Sequence, residues 1–333
     1  MNEPTALPLP MLNKHLAIND TAPWKQYQRP YVRDLAFALA CPNVITHWLD
    51  FTDTENDDGS RVETDKSTTE ISVHSADFWH LQYKAYQERL QILDSTNAYQ
   101  ELTRYLLARP SPNRLGFHFE GLLSFWLTDG FTHSCHPYEI LASNVQLYCG
   151  KQTSGELDLV LYNHQEKLTE HWELAIKFFM GSAPFAPMNW VGINSKDNLQ
   201  RKMTHMQTKQ FRSLAVDTKN HGQVIIDKRY AVIKGRFFLP ISLTEFHRPD
   251  WFTPTFPQHR WYDSRDSANL AHIDMSTLRR ARYIEWFTQR ACYDNATPTQ
   301  LLWQPLSLPS TGQYFEGNTP LVIYSSYQNS DLG

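Results

Sequence analysis

The chain has 333 residues, 41% of them hydrophobic and 20% charged, with a formal net charge of −4. That length buries a sizeable core, and the apolar fraction excludes a disordered chain. The slight acidic balance, 35 Asp and Glu against 31 Lys and Arg, neither points to nor excludes a nucleic-acid partner.

The four cysteines (Cys41, Cys135, Cys149 and Cys292) are far apart and form no CxxC pair, which argues against a disulfide framework or a zinc ribbon. The N-terminus lacks the basic-then-apolar layout of a secretory signal, and no run reaches the roughly 20 apolar residues of a membrane span. The expectation is a cytoplasmic protein with reduced thiols and no membrane partner.

Along the chain, the Pro-rich residues 1–30 read as an extended arm. Helical patterning begins at 31 and stops before Pro42, with Arg33-Asp34 as an ion pair at its start. The stretch 50–66 holds seven acidic residues against Arg61 and Lys66 and reads as a solvated loop. Two helices are expected within 76–107, ending before Arg109-Pro110. A further helix spans about 113–128, where Phe119, Leu122, Leu123 and Trp126 form one buried stripe. Strands follow at 139–149, 155–162, 170–179 and 229–239, with a polar helix at 196–215 before the last. The tail after 240 reads as largely irregular, with one helix at 275–293. Helix, three strands, helix and strand make an α/β pattern with additions at both ends.

The chemistry concentrates in residues 155–180. Alternation along the first strand puts Leu157, Leu159 and Leu161 on one face and Glu156 and Asp158 on the other. In the next strand Trp172, Leu174, Ile176 and Phe178 share a face, opposite Glu173, Ala175 and Lys177. A hairpin through 163–170 brings Asp158, Glu173 and Lys177 to one sheet face. Charges inside buried strands are costly unless paired or bound to a cation. Two carboxylates and a lysine so placed suit Mg²⁺ (or Mn²⁺) and an activated water, and a structural salt bridge from Lys177 accounts for them equally well. Glu120 lies one position from the apolar stripe of its helix, with Gly116 a turn earlier to allow close approach to a sheet.

A helix with Glu, a strand with Asp, then a strand with an acid and Lys resembles the PD-(D/E)xK nuclease superfamily. The segments RDLAFALACPN, RLGFHFEGLLSFWL, GELDLVLY, HWELAIKFFM and WVGINSKDNLQRK also resemble an uncharacterised bacterial family, a domain of unknown function grouped with that fold. The resemblance implies Asp158 and Glu173 as metal ligands, Lys177 as the catalytic lysine and Glu120 as the helix carboxylate. Two departures stand out. Ala175 occupies the usual acidic position, and Glu173 lies one residue pair, about 6–7 Å, further along the strand, so that Glu173 or Glu156 takes the ligand role. Leu157 replaces the motif's proline.

Residues 196–234 carry nine Lys and Arg against three Asp. On an ideal helix Arg201, Lys202, Lys209 and Arg212 fall within an arc of roughly 100°, either a phosphate-backbone track or a solvated face. His133-Ser134-Cys135-His136 reads as a turn rather than a zinc site, and His164 and His171 lie in or beside the hairpin connection. No phosphate-binding glycine loop or GxSxG element is present.

The expected architecture is therefore an α/β, restriction-endonuclease-like core with a central mixed sheet flanked by helices. It occupies 111–240, after an N-terminal arm and helical region over 1–110 and before a C-terminal extension over 241–333. The expected activity is Mg²⁺-dependent phosphodiester hydrolysis in DNA or another nucleic acid. A catalytically silent module that binds nucleic acid or a protein is the alternative that Ala175 favours.

Overall fold

The computed structural model describes residues 22–51, 70–112, 114–149, 152–194, 196–281, 283–287, 311–317 and 319–324. The beginning of the arm (1–21), most of the acidic loop (52–69) and residues 288–293 of the expected C-terminal helix lie outside the described residues.

The N-terminal helices are α1 (Pro30–Ala40), β1 (Ile71–Val73) intervening, then α2 (Ala76–Ser95), α3 (Tyr99–Leu107) and α4 (Leu115–Thr132). Pro30 opens α1, where a fixed φ and a missing N–H cost nothing. The Ser75 hydroxyl caps α2 by accepting the Phe78 N–H at 3.1 Å. On α4 the expected stripe is fully buried.

Next come β2 (Tyr138–Cys149), β3 (Gln152–Asn163), β4 (Leu168–Gly181) and β5 (Trp190–Val191). The helix α5 (Leu199–His205) continues into a π-helical turn, Met206–Gln210. Then follow β6 (Ala215–Thr218), β7 (Gly222–Ile225), β8 (Lys228–Pro240), β9 (Gln258–Asp263), α6 (Ser267–Leu270), β10 (Leu278–Arg280), β11 (Gly312–Glu316) and β12 (Thr319–Tyr324).

Ten strands form one mixed sheet in the order β10-β11-β12-β9-β8-β4-β3-β2, with β1 on β8 and β5 on β4. The meander β2-β3-β4 is antiparallel, whereas β4, β8 and β9 run parallel. At the β3–β4 turn the Asn163 side chain accepts the N–H groups of Gln165 and Glu166 at 3.1 Å, which fixes the hairpin. The fold is thus mixed α/β with a large central sheet flanked by helices.

Central strand β8 is buried along nearly its whole length. Its Lys234 is fully buried, yet it donates to the Ala38 carbonyl at 2.5 Å and lies 3.2 Å from the Trp79 ring centroid. The amine therefore meets the carbonyl end of α1 and the Trp79 face in place of water, and burial holds its pKa well below the usual lysine value. The next residue has no freedom at all. Gly235 has φ +139°, and a Cβ there would sit 1.7 Å from the carbonyl oxygen of Lys177, its partner on β4.

Several local expectations are corrected. Asp34 pairs with His118 at 3.0 Å, both buried, while Arg33 donates to the Tyr27 carbonyl, so the two do not pair with each other. Gly116 has open space, its added Cβ coming only within 3.9 Å of Glu120. The close approaches on α4 are instead at Gly121 against Arg109 and Gly130 against His136. His136 holds a turn: Nδ1 accepts the Tyr138 N–H and Nε2 donates to the Trp126 carbonyl, each at 3.2 Å.

The tail after 240 is more regular than its Pro- and Trp-rich sequence reads, because β9 to β12 extend the sheet beyond β8. Within the expected helix 275–293, residues 278–280 form β10 and 283–286 a single 3-10 turn. Pairing of β10 with β11 outweighs the local helical pattern.

Candidate active site

The site begins where β3 and β4 part. Their ladder runs from Asn163↔Leu168 to Leu159↔Trp172 and ends there. At the next step the Asp158 carboxylate replaces the ladder, its Oδ2 accepting the Leu174 N–H at 2.8 Å. Beyond this point β3 stays with β2 while β4 follows β8 as far as Met180.

The β2 partner has a left-handed residue at the same level. Asn144 lies between the pairs Ser143↔Leu159 and Val145↔Leu157, opposite Asp158, with φ +52°. A left-handed backbone is tolerated by Asn better than by most residues. The expected alternation breaks here: Leu159 and Leu161 enter the main core, but Leu157 joins Val160, Val216 and Ile226 in a separate cluster. At this level the charge of Asp158 on the strand reaches Glu120 of α4.

The Asp158 and Glu173 carboxyls lie close enough for the Glu173 charge to act on Asp158. Burial and the Glu173 charge hold Asp158 well above the usual carboxylate range. Burial likewise pushes Glu173, only 1% exposed, up to about 7. Glu120 also rises to about 7, through burial first and then the Asp158 charge. Glu156 stands at the rim, half-buried, accepting from Gln146 at 2.7 Å, and its charge reaches Glu120.

The π-helical turn closes over the opening. Gly155 on β3 lies against the Lys209 carbonyl, where an added Cβ would be only 3.3 Å away. From this turn the Gln210 amide donates to Glu173 Oε1, and its own oxygen accepts from Lys202 Nζ at 3.2 Å. Glu173 Oε2 receives no hydrogen bond from any nitrogen among the described residues. His171 Nε2 lies 3.3 Å from that oxygen without hydrogen-bond alignment, and burial holds the imidazole down to about 4, so it is neutral at pH 7.

Of the two nearby lysines, Lys177 pairs with Asp197 at 2.7 Å and is 20% exposed. Lys202 turns inward, lowered by burial and pulled back up by Glu173 and Asp158. The expected basic arc is therefore split. The α-helix ends at His205 and changes pitch, leaving Arg201, Lys209 and Arg212 exposed while Lys202 joins the carboxyls. Arg201 donates to the Lys196 carbonyl at 2.8 Å. His164 is on the surface beside Glu139, at 2.7 Å.

The structure thus gathers Glu120, Asp158, Glu173 and Lys202, with Glu156 and Lys177 alongside. Residues that the sequence does not mark for this site are Gln210, Asp197 and Asn144, together with Arg109, whose Nη2 approaches Glu120 Oε2 at 3.9 Å. No motif spacing announces them, since each reaches the site through a turn or bulge. Among the described residues no three His, Cys, Asp or Glu side chains are spaced to hold a metal ion as they stand. With Asp158 and Glu173 raised by burial and Glu173 Oε1 capped by Gln210, the acids form a closed group.

No helix of the described residues is long and apolar enough to cross a membrane. No curated protein and no solved structure matches the chain. One family does, over residues 33–307, and the chain belongs to it: the family described as Domain of unknown function (DUF1853).

Proposed function

We propose that this protein is a Mg²⁺- or Mn²⁺-dependent nuclease, with a restriction-endonuclease-like core, that hydrolyses phosphodiester bonds in nucleic acid, DNA foremost, in the cytoplasm. The observation that carries the reading is the gathering of Glu120, Asp158 and Glu173 with Lys202 where β3 leaves β4. The order α4, antiparallel β2-β3-β4, α5 and parallel β8 supports it.

The donor set fits a hard divalent cation: the acids offer only oxygens, and Glu173 Oε2 is a buried oxygen that no nitrogen satisfies. Asp158 and Glu173 would hold the ion, with Glu120 contributing directly or through water and Glu156 at the rim. Once bound, it supplies charge neutralisation at a phosphate oxygen and a more acidic water. The protein's own contributions are separable. Glu173 Oε2 is open to the ion while Oε1 stays with Gln210, which has to turn away only for both oxygens to bind. Lys202 balances the acids in the closed state, and Lys177, released from Asp197, orients the attacking water. Exposed Arg201, Lys209 and Arg212 fit contacts to the phosphate backbone that read no bases.

A second reading, a silent module that binds nucleic acid or a protein, is favoured by Ala175 at the usual acidic position and by the Lys177–Asp197 pair. The two separate on labelled DNA and RNA in Mg²⁺ or Mn²⁺, comparing wild type with Asp158→Ala and Lys177→Ala. Cleavage by wild type alone supports the nuclease. Binding without cleavage in either metal removes hydrolysis from the account.

A further inference from the structure

Arg109 is the cation of this site that nothing yet employs. It follows the C-terminus of α3, and its stem is pressed against Gly121 of α4, where an added Cβ would meet Arg109 Cδ at 3.0 Å. The side chain is 16% exposed. Its buried Nε makes no hydrogen bond within the described protein. Its Nη2 reaches Asn144 Oδ1 only at 3.5 Å and Glu120 Oε2 only at 3.9 Å.

A buried guanidinium normally forms close, aligned contacts, because each donor taken from water has to be matched. Here the donors are held in place and left loosely engaged. Their position is fixed independently by two backbone features, the Gly121 contact and the left-handed Asn144. Asn144 stands opposite Asp158 on β2 and also donates to Glu120 Oε2 at 3.4 Å, so the arginine is tied to the carboxyl group by a shared neighbour. A planar fork of donors matches two oxygens of a phosphate far better than it matches one distant carboxylate.

We propose that Arg109, with Asn144 beside it, is the phosphate-binding residue of this site and takes two oxygens of a nucleic-acid phosphodiester. The nature of that substrate, and the divalent cation beside it, rest on the nuclease reading above; the donors of the phosphate seat do not. Three carboxyls nearby repel an anion, so the seat fills when a divalent cation neutralises them. Arg109 and the acids then hold one phosphate from two sides.

The test is calorimetric titration of inorganic phosphate into the full chain in Mg²⁺, with thermal melts of each variant. Arg109→Met should weaken phosphate binding by about tenfold or more, with the melting temperature unchanged or raised. Arg109→Lys, which keeps the charge but loses the fork, should recover only part of the affinity. Asn144→Asp, which keeps a residue tolerant of the left-handed backbone, should block the seat with its own carboxylate. Wild type that binds no phosphate, or phosphate binding equal in wild type and the Arg109 and Asn144 variants, overturns the proposal. So does Arg109→Met that melts early with phosphate affinity intact, since that marks a structural arginine. Arg109-dependent phosphate binding without any nucleic-acid cleavage keeps the seat and removes the nuclease.

Discussion

Replacing Glu173 by Gln should stabilise the cation-free protein at alkaline pH. The carboxyl of Glu173 is raised from 4.5 to about 7, first by burial and then by the Glu120 charge, against the pull of Lys202. A carboxyl raised in the folded state holds its proton there while the unfolded chain has released it. Stability is thus fully retained below the unfolded value and falls as pH rises from about 4.5 through about 7. At about 1.4 kcal/mol per unit, the ionised form costs the fold on the order of 3 kcal/mol above pH 7. Glu173→Gln removes that cost and keeps an oxygen for the Gln210 amide, so a gain of about 1–3 kcal/mol is expected near pH 8. Near pH 5, where Glu173 is already protonated, the variant and wild type should agree within about 0.5 kcal/mol. Urea unfolding at the two pH values in chelator gives both numbers. Equal destabilisation at both would show that Glu173 is held by ion pairing, and would refute the reasoning. Adding Mg²⁺ should then stabilise wild type and leave Glu173→Gln unchanged.

Other consequences are as direct. Gly235→Ala puts a methyl 1.7 Å from the Lys177 carbonyl at φ +139° and should cost at least about 3 kcal/mol, read as lost soluble yield or an early melt. Lys177→Met breaks a partly exposed pair with Asp197 and should change stability by less than about 1 kcal/mol, while cleavage disappears; cleavage at the wild-type rate would move the role elsewhere. Because Glu120 and Glu173 both sit at about 7, Mg²⁺ affinity should rise steeply between about pH 6 and pH 8 and release protons on binding. Calorimetry in buffers of different ionisation enthalpy measures that release, and a pH-independent affinity contradicts it.

How far the sequence foretells this arrangement depends on how local its cause is. Strands β3, β4 and β8 are legible because their apolar runs and alternation reflect burial on the sheet itself. The same alternation brings Asp158 and Glu173 to one place. It fails at Leu157, which packs with Val160 in a separate cluster opposite the left-handed Asn144 of the neighbouring strand, and no feature of β3 records that. Lys202 reads as one of four surface cations on an ideal helix. Lys202 instead faces inward from the α-helical segment, and the π-helical turn after it breaks the period and brings Gln210 onto Glu173. Strand β9 pairs with β8 and β12, the latter some sixty residues onward, so short-range patterning carries little sign of it. Arg109 is read as a helix end because Pro110 follows it. Its place beside Glu120 comes from the packing of α3 on α4.

The central claim is that Glu120, Asp158 and Glu173 form one cation site. The direct measurement is anomalous scattering from crystals of the protein soaked in Mn²⁺. The account predicts a single strong peak among these three carboxyls, with Glu173 Oε2 as one of the ligands. Crystals that show Mn²⁺ only elsewhere, with these three carboxyls empty of it, would contradict it.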